Sequence, residues 1–125
     1  MSRSHFPALN AITFQIAALV EQYEQDVSLL VRGWQGGGDM DLYLRVSRSM
    51  DRLRDLCASQ PALAVQWVTL LISHTELMHA VWRVSPHGSQ PSLTEHLADH
   101  TDCIHALAAK CRRLLTESAG EAGLH

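Results

Sequence analysis

Cysteine, lysine and net charge are all in short supply here, and each shortage narrows the field. Cys57, Cys103 and Cys111 are odd in number and lack any CxxC spacing. Neither a disulfide framework nor a ribbon-type zinc site is expected, and reduced thiols are the default. Lys110 is the one lysine beside nine arginines, and ten basic residues against thirteen acidic ones leave a formal charge of -3. No overall field draws this chain to nucleic acid or to an anionic membrane.

Long apolar runs are missing as well. Pro7, Asn10 and Gln15 interrupt the N-terminal segment, which therefore lacks the apolar block of a signal peptide. Residues 62–84 are the most membrane-like stretch, yet Gln66, Thr69, Ser73, His74, Thr75, Glu76 and His79 fall within it, and polar groups are costly in lipid. A cytoplasmic protein is the expectation. Gly36, Gly37 and Gly38 are not followed by the Lys-Ser/Thr of a P-loop. Glu76 and His79 form one ExxH pair, but a di-iron carboxylate bundle needs a second such pair and further glutamates.

What is present is apolar periodicity. With 46% hydrophobic and 18% charged residues, the 125-residue chain reads as one globular domain. Leu9, Ile12, Ile16, Leu19, Tyr23, Val27, Leu30 and Trp34 recur by threes and fours, predicting a helix over 5–35 that starts at Ser4 as N-cap and stops at the glycine triplet. Asp39 is placed to cap a second helix over 40–58, with a seam of Tyr43, Val46, Met50, Leu53 and Cys57. A third helix is predicted over 60–84, with Ser59 as its cap and Pro61 in its first turn. Ser85 to Pro91 reads as a loop. Ser92 and Glu95 then match a capping box that opens a fourth helix over 93–117, whose seam is Leu93, Leu97, His100, Ile104, Leu107, Cys111 and Leu114. The fold expected is all-α, a single-domain antiparallel four-helix bundle over 1–117 with a flexible tail over 118–125.

The fourth helix carries the chemistry-bearing side chains. His96, His100 and Cys103 fall on one stripe. In an antiparallel hairpin with the third helix, facing residue numbers sum to about 176. His74 then faces the region of Cys103, and His100 looks toward Glu76. His74, His96, His100 and Cys103 are zinc-competent ligands, and a zinc- or iron-binding bundle acting as sensor or enzyme is the alternative reading. The plainer reading makes His74 and His100 neutral packed imidazoles that donate to a backbone carbonyl or to each other, with Cys103 a small buried hydrophobe and no cofactor. A catalytic nucleophile is not expected mid-helix on a packed seam.

The third helix is apolar nearly all round. Val65, Val68 and Ile72, with Trp82 roughly in line, make a second edge beside the seam of Leu63, Trp67 and Leu70. Each large side chain left wet forgoes roughly 1.5–3 kcal/mol, so the edge points to a partner, either a second copy in a homodimer or a helical client protein. Arg45, Arg48 and Arg52 line the far face of the second helix as a secondary contact. Asp41, Asp51 and Asp55 interleave with them, so nucleic acid is not the expected partner. The sequence thus reads as a small non-catalytic regulatory or adaptor protein.

Overall fold

The seams read from the sequence are the surfaces that close the core. The computed structural model describes residues 5–34, 38–83 and 91–123. Its regular elements are α1 (His5–Arg32), α2 (Met40–Ala58), a 3-10 turn (Pro61–Leu63), α3 (Ala64–Trp82) and α4 (Pro91–Gly123). They form a single-domain antiparallel helical bundle. Helix α1 lies between α2 and α4, while α3 packs chiefly on α4 and meets α2 along a thinner seam. Ile16, Tyr23, Leu30, Leu53, Leu63, Leu70, Leu77, Ile104, Leu107 and Cys111 are fully or almost fully shielded from solvent within one contiguous core.

Local chemistry sets the helix ends. Asp39 is extended, and its Oδ1 accepts from the Leu42 amide at 3.0 Å, capping α2 as predicted. Gly38 just before it has φ 72°, and a Cβ there would stand 2.5 Å from the Trp34 ring, so both backbone and space demand glycine.

Five boundaries depart from the sequence reading. Helix α1 ends at Arg32 rather than 35, with Gly33 and Trp34 beyond its last turn. Ser59 terminates α2 instead of capping the next helix, its N–H donating to the Leu56 carbonyl. The tight 3-10 turn through Pro61 comes between, so α3 starts at Ala64 rather than 60 and ends at Trp82. Buried Gln60 pins that turn to α1. Its Nε2 donates to Thr13 Oγ1 at 2.9 Å, and the threonine hydroxyl in turn donates to the Leu9 carbonyl at 2.8 Å. Helix α4 begins at Pro91 and continues through the segment read as a tail to Gly123. Glu117, Ala119 and Glu121 favour helix, and Asn10 Nδ2 donates to Ser118 Oγ at 2.8 Å. Ser92, expected to cap α4, instead lies inside it, one residue past its Pro91 start. The expected cap at Ser4, the glycines at 36 and 37, Val84, residues 85–90 of the expected loop and the last two residues of the tail lie outside what is described.

Candidate functional site

A polar chain crosses the middle of this apolar core. Tyr23 on α1 and His100 on α4 are both fully enclosed, and the Tyr23 hydroxyl stands 2.5 Å from His100 Nε2 and 2.7 Å from His74 Nδ1 on α3. On the other side of the His100 ring, Nδ1 lies 2.6 Å from Ser73 Oγ, which is also 3.0 Å from the Leu70 carbonyl. The heptad seam of α4 turns His100 inward, and consecutive residues 73 and 74 of α3 reach it from either side.

Counting protons assigns the direction of the chain. The Leu70 carbonyl can only accept, so Ser73 donates to it and accepts from His100 Nδ1–H. His100 Nε2 is then a lone pair that takes the Tyr23 O–H, and the Tyr23 oxygen accepts from His74 Nδ1–H. The reverse direction loses the contact to Leu70. All four contacts are satisfied with both imidazoles neutral, and Nε2 of His74 is left as one unprotonated nitrogen. Burial agrees with neutrality. It pushes His74 down to about 4, and burial followed by the neighbouring His74 pushes His100 down to about 3. Burial likewise pushes the Tyr23 phenol well above its ordinary range, so it remains a hydroxyl.

His74 and His100 therefore come together as neutral packed groups, but they share a tyrosine hydroxyl rather than donating to a carbonyl or to each other. Their ring centroids are 5.9 Å apart with the phenol oxygen bridging them. His96 and Cys103 are half-buried on α4. Among the described residues no three His, Cys, Asp or Glu side chains are grouped to hold a metal ion. Cys57 and Cys111 are buried, and that burial raises their thiols to about 12 and about 11, which keeps them protonated and poorly nucleophilic.

Sequence reasoning overlooked Tyr23 and Ser73 as partners. The signal was there for Tyr23: a tyrosine on an otherwise aliphatic seam needs a partner for its hydroxyl when buried. The hairpin register placed His74 and His100 within a turn of each other but took no account of α1, which supplies the bridge.

The surface candidates separate into distinct groups. Val65, Val68 and Ile72 are 73%, 50% and 55% exposed, and Leu71 adjoins them. No Asp, Glu, Lys or Arg occurs between Asp55 and Glu76, so this face of α3 is uncharged. Trp82 is exposed too but is not continuous with it. Thr75, Glu76 and His79 intervene, and the indole packs edge-on against Trp34 and Tyr43 at ring separations of 5.0 and 5.4 Å. Arg45 leaves the arginine stripe by reaching Asp26 of α1, at 3.7 Å. Asp26 is buried, accepts from Gln22 Nε2 at 3.2 Å through Oδ1, and has no partner for Oδ2 among the described residues. Arg48 and Arg52 remain exposed on α2.

Comparison with known proteins finds no protein family, no curated protein and no solved structure that matches this chain. Among the described residues no helix is long and apolar enough to cross a membrane.

Proposed function

We propose that this chain is a non-catalytic helical adaptor that docks an amphipathic client helix on the outer face of α3. The observation that carries this reading is the exposure of Val65, Val68 and Ile72 side by side on a face without charge. Leaving them in water forgoes roughly 1.5–3 kcal/mol for each one that a partner would fully bury. Together with Leu71 they present on the order of 400 Å², within the size range of functional patches on monomers but short of the roughly 800 Å² per partner that a standard interface buries. Two turns of a client helix with apolar residues at i, i+3, i+4 and i+7 fit such a strip. With no charge on the strip, the client's seated face is neutral. Arg48 and Arg52 offer a secondary contact to acidic groups at the client's edge.

A photo-crosslinking amino acid at position 68, activated in the native cell and mapped by mass spectrometry, tests the proposal. The expected product joins position 68 to a heterologous segment with helical apolar spacing. A synthetic peptide of that segment then binds the purified protein and loses at least tenfold in affinity to Val68→Asp. Absence of any heterologous product, or a peptide whose binding ignores Val68→Asp, overturns it.

A further inference from the structure

A second surface, on α1 and α4, carries an inference of its own. An open groove of about 680 Å³ runs between these helices over a floor of Ala17, Ala18 and Ala108. One end holds Phe14, 66% exposed, and Arg112; the other holds Glu21 and the pair His105–Glu24, whose Nε2 and Oε2 are 2.8 Å apart. Small residues on the floor let another backbone approach closely. Among the described residues nothing covers the large exposed ring of Phe14.

We infer that this groove is the interface of a two-fold homodimer, in which each copy lays its α1 across the partner's α4. The geometry of the ends selects a second copy. A two-fold axis normal to the groove exchanges its ends and its helices together. Helices α1 and α4 are antiparallel, with Asn10 level with Ser118 and Glu24 level with His105. Arg112 is therefore about one turn beyond Phe14, and Ala108 is level with Val20. An axis level with Leu19 brings Arg112 of each copy opposite the other's Glu21. The same axis brings Phe14 opposite the other copy's His105, and Ala108 opposite the other's Ala17 and Ala18. One register thus matches opposite charges, aromatic with imidazole, and small with small. Within a single copy Arg112 and Glu21 sit toward opposite ends of the groove and form no ion pair. This face is distinct from the outer face of α3, so the dimer stands or falls independently of the client site.

Sedimentation equilibrium of the full chain at micromolar concentration is the test. The unaltered protein is expected to be a dimer. Glu21→Arg and Arg112→Glu each set like charges against one another across the axis and weaken it by about tenfold or more. The double variant Glu21→Arg with Arg112→Glu restores dimerisation, because each reversed residue meets its reversed counterpart. Circular dichroism that matches the unaltered chain certifies the fold of each variant, and Ala108→Arg, which fills the groove, gives a monomer. Val68→Asp leaves the dimer unchanged. A monomer at about 100 µM, or a dimer indifferent to both single reversals, overturns the inference.

Discussion

The Tyr23 hydroxyl bridges His74 and His100, so a single oxygen from α1 satisfies one ring nitrogen on α3 and one on α4. Removing that oxygen orphans two polar atoms inside an apolar core. Tyr23→Phe is expected to lower unfolding stability by about 2–4 kcal/mol, since each unsatisfied buried group costs about 1–3 kcal/mol. Ser73→Ala, which strands only His100 Nδ1, is expected to cost about half as much. Urea denaturation of the three proteins checks the order, and a Tyr23→Phe variant as stable as the original would refute the bridge.

Acid should loosen the bundle well before carboxylates titrate. Both imidazoles bind protons less readily in the fold, at about 4 and about 3, than the ordinary 6.5 of an exposed histidine. The unfolded chain therefore takes up more protons as pH falls below 6.5. Stability from this source is complete above that value, declines on the way down, and is exhausted below the folded values. Between pH 7.5 and pH 5 the loss is on the order of 2 kcal/mol for each imidazole. Urea midpoints at pH 7.5, 6 and 5 measure it, and His74→Gln should flatten the slope by about half.

Asp26 buries a carboxylate with one oxygen unpartnered among the described residues and Arg45 at the edge of reach. Removing the guanidinium leaves the charge without compensation, so Arg45→Met is expected to cost about 1–3 kcal/mol. Asp26→Leu removes the need for compensation and should be neutral or stabilising. In the Asp26→Leu background, Arg45→Met should cost less than roughly 0.5 kcal/mol, the ordinary scale of a surface change. A double-mutant cycle followed by thermal denaturation gives these terms, and equal costs in both backgrounds would exclude the coupling.

Gly38→Ala combines a left-handed backbone with a clash against the Trp34 ring. A loss of about 1–3 kcal/mol is expected, together with a changed near-ultraviolet circular dichroism signal, because Trp34 packs edge-on against Trp82 and at a tilt against Tyr43. An unchanged aromatic spectrum would show that the ring does not depend on this glycine.

The four helices were legible because their apolar residues repeat with helical spacing over several turns, and the α4 seam from Leu93 to Leu114 is buried or half-buried throughout. Asp39 could be recognised because a cap is a local device. Ser59 misled for the same reason: a serine before Pro61 resembles an N-cap, but Gln60 reaching Thr13 decides the turn from across the bundle. The histidines were found, and their neutrality was argued from the apolar seam. Their partners were not found, because a hairpin argument involves two helices and this contact needs three. Trp82 lined up with Val65 on a helical wheel, but a wheel does not show the aromatic neighbours at the bundle's end.

Leucines repeating every seven residues, as in Leu63, Leu70 and Leu77, fit almost equally well if one helix slides along its neighbour by a heptad. The phenol and the two imidazoles have no such tolerance, since sliding α1 by seven residues, about 10.5 Å, would part the Tyr23 hydroxyl from both rings at once. Greasy contacts alone would permit a family of staggered assemblies; the embedded polar thread acts as a vernier that admits one.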